Sequence, residues 1–196
     1  MKNENFIKII RDHIIVNSEL DDIHGFPHIE RVYNLCLILG NQLNANLKIL
    51  KISTLLHDLG RKKEKDIRIK KGHAEISANL AKMYLTSQNF NITDEELENI
   101  IHCIKSHSFS NNIKPRTLEA KILSDADKLD AIGAIGLYRT IGYTIQKKGN
   151  LNDVIKHLEE KILKIKDLLF LDISKKIAEK RHKIIMNFYD EIKKEI

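Results

Sequence analysis

Apolar residues recur every three or four positions along almost the whole chain, a spacing typical of amphipathic helices. The sequence contains only two prolines and no tryptophan, so few positions interrupt this pattern. No repeat or low-complexity linker is visible. We therefore predict an all-α protein with helices near 4–17, 28–44, 47–59, 73–88, 93–108, 117–130, 132–147, 151–170 and 172–194.

Polar caps and helix-breaking residues indicate where several helices begin and end. Thr93 is followed three residues later by Glu96, the spacing of a capping box, which predicts a helix start at this point. Other boundaries coincide with segments that contain glycine or proline, at 25–27, 71–72, 114–115 and 148–150. The last two helices each carry one apolar stripe, so we expect them to pack on the rest of the protein or on a second subunit.

The length of 196 residues fits one domain that can bury its own core, so a metal would serve function rather than folding. We predict a single domain over 1–196. Cys36 and Cys103 lie in apolar helical runs, where we expect packed, reduced thiols. The N-terminal sequence lacks the apolar core of a signal peptide, and no segment approaches the roughly 18 apolar residues of a membrane span. These features predict a cytoplasmic protein without a membrane partner.

The net charge of +6, from 33 basic and 27 acidic residues, raises the question of an anionic partner. Most lysines alternate with acidic residues along helical segments, as on a solvated helix face, so we do not expect nucleic acid binding. The exception is the basic segment 61–71, which directly follows His57 and Asp58. It indicates either positive potential near a functional site or a merely solvated loop.

Residues of metal-ligand type are distributed over the first two thirds of the chain, next to apolar helical segments. Imidazole and carboxylate together suit a divalent first-row metal. Alone, His28 would be an ordinary residue at the start of a helix. His57 and Asp58 end a strongly apolar helix, where a buried carboxylate requires a partner. The candidate ligands are His28, His57, Asp58, His73, His107 and Asp127.

Three acids, Asp125, Asp127 and Asp130, lie in one segment of small and apolar residues, ILSDADKLDAIGAIG. Three carboxylates are too many for a passive helix core. Their side chains point in different directions around a helix. We therefore expect one of them to bind a metal and the others to cap or anchor neighbouring helices.

These residues resemble the HD-domain superfamily of metal-dependent phosphohydrolases, whose signature is a histidine, a His-Asp doublet and a distant aspartate. His28 matches within HGFPHIERV, His57 and Asp58 match within LLHDLG, and Asp127 matches within SDADKLDAIG. The resemblance covers about residues 20–145. It implies an all-α bundle in which these four residues hold one metal, and metal-activated water cleaves a phosphate ester. Asp58 would be both ligand and catalytic residue.

The resemblance leaves the number of metal ions open. His73 and His107 resemble histidines that bind a second ion in larger HD phosphodiesterases. They could instead line the substrate pocket of a site with one ion, or be structural. Ser108 follows His107, whereas the cyclic-dinucleotide phosphodiesterases of the superfamily carry a second histidine there, so we do not expect that activity.

The same resemblance suggests further site residues. Arg61 stands where the nucleoside-monophosphate phosphatases of the superfamily carry a catalytic glutamate, and it resembles the lysine of the phosphodiesterase branch, which makes it a phosphate-contact candidate. Lys128 and Arg139 are weaker candidates for substrate binding. His24 lies four residues before His28 and is a candidate catalytic proton donor, although Pro27 disfavours a continuous helix there.

We therefore predict a phosphohydrolase of a small phosphorylated metabolite, with a nucleotide as the leading candidate. The expected cofactor is Mn, Fe, Co, Ni or Zn, with Mg also open, as one ion or two. One alternative is a nucleoside-triphosphate pyrophosphohydrolase, and another is a catalytically idle metal- or nucleotide-binding sensor. A homo-oligomer remains an open expectation.

Overall fold

The computed structural model describes residues 2–19, 21–64, 72–88, 90–108 and 111–196, without the side chains of residues 2–4 and 64. Helices are the only regular secondary structure over these ranges, so the prediction of an all-α fold is confirmed. The α-helices are α1 Lys2–Asn17, α2 Phe26–Gln42, α3 Leu47–Leu56, α4 Arg61–Glu64, α5 His73–Ser87, α6 Asp94–Ser106, α7 Leu118–Asp130, α8 Gly133–Gln146, α9 Leu151–Glu160 and α10 Asp172–Glu195. A 3₁₀ helix covers Ile162–Leu168.

Two of the predicted helices are wrong in extent. The helix predicted at 151–170 ends at Glu160, and a turn at Lys161 leads into the 3₁₀ helix. Apolar residues three positions apart, such as Ile162 and Ile165, suit a 3₁₀ helix as well as an α-helix, so the pattern could not separate them. The helix predicted at 47–59 ends at Leu56, before a turn and the short α4.

The chain divides into two compact units, Met1–Ser124 and Asp125–Ile196, with the division inside α7. Each unit is described below by itself. The prediction of a single domain over 1–196 stays a prediction.

In the first unit, α3 contacts α1, α2, α5 and α6. Seven of its residues, from Ile49 and Leu50 to Leu55 and Leu56, are buried, and a helix that is apolar nearly all round belongs in a core. Asn46 caps its first turn by accepting the backbone N–H groups of Lys48 and Ile49. Because α3 lies in the core, His57 and Asp58, which follow its last turn, are buried in the interior.

The capping box predicted from Thr93 and Glu96 is confirmed at the start of α6. The Thr93 side chain accepts the N–H of Glu96, and the Glu96 carboxylate accepts the N–H of Thr93. The box fixes the start of the helix that ends beside His107.

In the second unit, α8 contacts α9 and α10, and the 3₁₀ helix contacts α9 and α10. Arg139 forms a buried ion pair with Asp130 at 2.7 Å, and Arg181 donates to the carbonyl oxygen of Leu129. Gly133 has a φ of +81°, which favours glycine, and a Cβ at this position would lie 3.1 Å from the Arg181 side chain. The carboxyl end of α7 is therefore held by α8 and α10.

Candidate metal centre

The ring orientations of His57 and His107 are set by backbone carbonyls. Both residues are C-caps, His57 of α3 and His107 of α6. Nδ1 of His57 lies 2.6 Å from the carbonyl oxygen of Thr54, and Nδ1 of His107 lies 2.7 Å from that of Ile104. A carbonyl oxygen can only accept, so each Nδ1 carries the proton. In its neutral form each ring then presents a lone pair at Nε2.

His28 and His73 complete two pairs of imidazoles. His28 lies in the first turn of α2 and is fully buried, and its Nε2 is 3.4 Å from Nε2 of His57. His73 is the first residue of α5, and its Nε2 is 3.3 Å from Nε2 of His107. Ring nitrogens from four helix ends therefore converge in the interior of the first unit.

Asp58 lies between the two imidazole pairs. Its Oδ2 is 3.7 Å from Nε2 of His28 and 3.9 Å from Nε2 of His57. Its Oδ1 is 3.6 Å from Nε2 of His73 and 3.7 Å from Nε2 of His107. The carboxylate, whose side chain is only 1% exposed, thus faces one pair with each oxygen.

The two oxygens of Asp58 differ in their hydrogen bonds. Oδ2 accepts the Nε–H of Arg61 at 3.2 Å, and Nη2 of the same guanidinium lies 3.1 Å from it as an ion pair. Oδ1, among the residues that the structure describes, is a buried oxygen without a hydrogen-bond partner. Burial acts to raise the pKa of Asp58, but Arg61, followed by His57, His73 and His28, holds that pKa well below its usual range. Asp58 is therefore a buried anion with one unpaired oxygen.

These atoms fit a divalent cation. His28, His57 and Asp58 form one group of ligand atoms that lie within 4.8 Å of one another, and Asp58, His73 and His107 form a second. Lone pairs of imidazole nitrogens and carboxylate oxygens that face one another are unfavourable unless a proton or a cation lies between them. The donor set of neutral nitrogens and an anionic oxygen suits a transition metal ion.

A close contact at Gly60 joins the doublet to α5. The Gly60 N–H donates to Oγ of Ser77 at 2.8 Å. A Cβ at Gly60 would lie 2.6 Å from the Ser77 nitrogen and 2.9 Å from the carbonyl oxygen of His73. Only glycine allows this approach of the turn to α5, and the approach brings His73 beside the doublet.

The predicted residues Asp127, Lys128 and Arg139 belong to the second unit, and their roles at the site stay predictions. Lys128 is buried, with its Nζ 5.3 Å from the centre of the Phe170 ring. Burial lowers its pKa, while Asp127 and Asp125 act in the opposite direction. Arg139 is engaged in the ion pair with Asp130.

The other two aspartates of this segment are anchors, as predicted. Asp125 accepts the backbone N–H groups of Phe170 and Leu171, each at 2.9 Å, just before α10. Asp130 accepts from Arg139. Asp127 is half-buried and lies between them in sequence.

His24 lies in a turn before α2, because α2 begins only at Phe26, as the proline at position 27 indicated. Its backbone N–H donates to Oδ1 of Asp21. Its catalytic role stays a prediction. Most of the predicted basic segment, residues 65–71, lies outside the described residues.

Sequence reasoning missed two contacts of the site. One is the hydrogen bond from Arg61 to Asp58. A spacing of three residues allows this bond only when the chain turns between them, and the sequence pattern predicts a helix through 59 instead of that turn. The bond from Gly60 to Ser77 has one sequence signal, a glycine directly after an apolar helix.

Across the described residues, no helix is both long enough and apolar enough to cross a membrane.

The chain is similar to two groups of proteins in sequence. It is 29% identical over 181 residues to YpgQ of Bacillus subtilis, a match that covers 88% of this chain and 84% of YpgQ. It is 28% identical over 127 residues to ribonuclease Y of Finegoldia magna, which covers 65% of this chain but only 22% of that protein.

Solved structures with the same fold cover the chain almost completely. The crystal structure of Bacillus subtilis YpgQ in complex with ADP has a TM-score of 0.80 at 28% identity and covers 100% of this chain and 97% of that one. An HD-superfamily hydrolase from Bacillus thuringiensis has a TM-score of 0.69 at 28% identity and covers 99% and 96%.

The sequence profile of the HD domain matches residues 25–132, which include His28, the doublet, His73, His107 and Asp127. This range is more than half of the chain. The protein therefore belongs to the HD-domain superfamily.

Proposed function

We propose that this protein is a metal-dependent phosphohydrolase that cleaves a phosphate ester of a small metabolite, with a nucleotide as its substrate. The observation that carries the proposal is the buried carboxylate of Asp58, which faces one imidazole pair with each oxygen and whose Oδ1 has no hydrogen-bond partner among the described residues. A buried oxygen of this kind lowers the free energy of unfolding by about 1–3 kcal/mol or more when nothing binds it. Its presence in the fold therefore supports a bound ligand. Membership of the HD-domain superfamily supports the same activity.

The ligand set would be His28, His57 and Asp58, with Asp127 as the fourth member carried over from the family signature. When bound, a divalent ion supplies Lewis acidity that polarises a phosphoryl oxygen and makes water a nucleophile near neutral pH. The carbonyl of Thr54 holds the His57 ring in its ligand orientation. Asp58 stays ionised at neutral pH because its pKa is low, so it can bind a cation and accept a hydrogen bond from the attacking water.

Other residues would act on the substrate. Arg61 has the planar guanidinium that binds phosphate oxygens through two N–H groups. His24 would protonate the leaving oxygen, since imidazole exchanges protons near neutral pH. His73 and His107 would either hold a second ion with Oδ1 of Asp58 or contact the phosphate.

The nucleotide assignment rests on YpgQ, whose crystal structure contains ADP and whose fold covers all of this chain. The similarity to ribonuclease Y does not favour an RNA substrate here, because the aligned part spans 22% of that protein.

A second candidate is nucleoside-triphosphate pyrophosphohydrolysis. It is favoured by the ADP in the YpgQ structure, since a site that accepts a diphosphate has room for more than one phosphate group. The two candidates differ in their products. A phosphate-ester hydrolase acting on the terminal group releases orthophosphate, whereas the pyrophosphohydrolase releases pyrophosphate and a nucleoside monophosphate.

The test begins with protein stripped by a chelator and reloaded with Mn, Co, Ni, Zn or Mg in separate samples. Nucleoside mono-, di- and triphosphates are then supplied, and orthophosphate and pyrophosphate are measured separately. We expect turnover in wild type, and loss of at least about a thousandfold in Asp58→Ala and His57→Ala, since each removes a ligand. Asp94→Asn, at an exposed acid of α6, is the matched control and should retain activity. Metal binding without turnover of any nucleotide would favour the sensor alternative instead.

A further inference from the structure

Oδ2 of Asp58 contacts Arg61 on one side and faces two candidate metal ligands on the other. Oδ2 accepts the Nε–H of Arg61 and forms an ion pair with the same guanidinium, and it is also the oxygen that faces His28 and His57. An ion bound by His28, His57 and Asp58 would therefore use the oxygen that Arg61 already neutralises. Arg61 carries its positive charge at all relevant pH values, so guanidinium and ion repel each other across Oδ2.

Of the two partners, Arg61 is the one that can move. The Asp58 side chain is 1% exposed, whereas the Arg61 side chain is 24% exposed. Arg61 is the first residue of α4, a helix of only four residues. Its long side chain can leave Oδ2 for solvent or for a phosphate without moving the backbone of α3.

We propose that Arg61 and the divalent ion compete for Oδ2 of Asp58. Arg61 neutralises the carboxylate while the ion is absent, and binding of the ion releases the guanidinium to the substrate phosphate. The inference rests on the proposed function and adds an order of binding, in which the metal ion binds before the substrate phosphate. The guanidinium of Arg61 then passes from a carboxylate to a phosphate, and both groups accept its N–H groups in the same way.

The competing arrangement is a fixed one, in which Arg61 stays on Oδ2 and orients Asp58 for the ion. The two arrangements predict opposite signs for the effect of Arg61 on metal affinity. Competition means that removing Arg61 tightens metal binding, because the carboxylate loses its resident cation. A fixed positioning role means that removing Arg61 weakens metal binding, because the ligand loses its orientation.

The experiment measures two affinities in wild type, Arg61→Ala and Arg61→Gln. The first is the affinity of stripped protein for Mn²⁺, from competition with a chelating dye. The second is the affinity of Mn²⁺-loaded protein for ADP, from calorimetry on samples in which ADP remains intact. Lys62→Ala is the matched control, because it removes a positive charge from the same helix at an exposed position. Circular dichroism reports whether each variant is folded, and two substitutions are used so that the result does not depend on one of them.

We expect both Arg61 variants to bind Mn²⁺ about tenfold more tightly than wild type and ADP about tenfold more weakly, the size of one charge-assisted hydrogen bond. Lys62→Ala should stay within about twofold of wild type for both ligands, since an exposed charge has a small effect. Weaker or unchanged Mn²⁺ binding in folded Arg61 variants would overturn the competition while leaving the proposed function intact. Wild-type protein that binds no divalent metal would overturn both.

Discussion

His57 and His107 occupy equivalent positions at the ends of two different helices. Each is a C-cap residue whose Nδ1 contacts the carbonyl oxygen three residues earlier, and their ring centres lie 5.0 Å apart. A carbonyl oxygen near the helix end thus fixes the tautomer of a potential ligand. The two rings differ in which oxygen of Asp58 they face, Oδ2 for His57 and Oδ1 for His107.

This difference predicts unequal metal binding at the two groups. The group of His28, His57 and Asp58 gains a fourth ligand if Asp127 joins it, whereas among the described residues the group of His73 and His107 has the shared Asp58 as its third ligand. We expect one equivalent of Mn²⁺ to survive desalting and a second to bind only when Mn²⁺ is in excess. His107→Ala should remove the second equivalent alone, and His57→Ala should remove the tightly bound one. Elemental analysis after desalting and equilibrium dialysis with excess Mn²⁺ measure the two quantities.

His102→Ala is a suitable control for these variants. His102 is a half-buried histidine of α6 whose Nε2 accepts the N–H of Arg116, and it belongs to neither group of ligand atoms. Metal content should stay at the wild-type level in His102→Ala. Loss of the tightly bound equivalent in His107→Ala would contradict the assignment of the two groups.

The low pKa of Asp58 predicts a specific pH dependence of stability in metal-free protein. Burial alone would raise this pKa, but Arg61 and the surrounding imidazoles lower it below the value of about 3.9 in an unfolded chain. The ionised carboxylate therefore stabilises the fold above about pH 4, and this stabilisation is lost as the pH falls through the lower, folded pKa. The free energy of unfolding of wild type minus that of Asp58→Asn should therefore fall as the pH drops below about 4.

Urea unfolding of both proteins at several pH values measures this difference, and taking the difference removes the contribution of all other carboxylates. A difference that grows as the pH falls below about 4 would mean that burial outweighs Arg61 and the imidazoles. In that case the folded pKa of Asp58 would lie above its unfolded value.

The sequence predicts most of the fold but only part of the geometry of the site. Helix type and most helix positions follow from the apolar spacing, because each helix buries one stripe or, for α3, nearly all of its surface. The break at Lys161 could not be predicted, since the same spacing serves α- and 3₁₀ helices. His28, His57 and Asp58 could be expected together from the motif, but the division of Asp58 between two imidazole pairs depends on distances that no spacing encodes. The phosphate contact predicted for Arg61 comes from its resemblance to a lysine of the phosphodiesterase branch, whereas its bond to Asp58 depends on the turn at 57–60.

Substitutions of Asp125 and Asp127 in α7 should have different effects, the first on stability and the second on metal binding. Asp125 is fully buried and accepts two backbone N–H groups, whereas Asp127 is half-buried. Asp125→Ala leaves the N–H groups of Phe170 and Leu171 without this acceptor and should lower the free energy of unfolding by about 2–4 kcal/mol. Asp127→Ala should change it by less than about 1 kcal/mol in metal-free protein and should weaken Mn²⁺ binding. Urea unfolding and dye competition measure the two effects, and a larger loss of stability in Asp127→Ala than in Asp125→Ala would contradict this assignment.

Gly60 and Gly72 offer a matched pair at the two sides of α4. A Cβ at Gly60 would lie under 3.0 Å from the backbone of α5, whereas a Cβ at Gly72 meets nothing within 4 Å. Gly60→Ala should therefore push the first turn of α5 away, lower the free energy of unfolding by about 1–3 kcal/mol and abolish the weaker Mn²⁺ equivalent, because His73 begins that turn. Gly72→Ala should change stability by less than about 1 kcal/mol and leave both equivalents in place.

Ser77→Ala separates the hydrogen bond at Gly60 from the steric effect. It removes the acceptor of the Gly60 N–H without adding an atom, and should cost about 1–3 kcal/mol of unfolding free energy. Because α5 then keeps its close approach to Gly60, the weaker Mn²⁺ equivalent should be retained. If Gly60→Ala kept that equivalent as well, the position of His73 would not depend on the contact between the turn and α5. The glycine of the HDLG segment would then serve the fold alone.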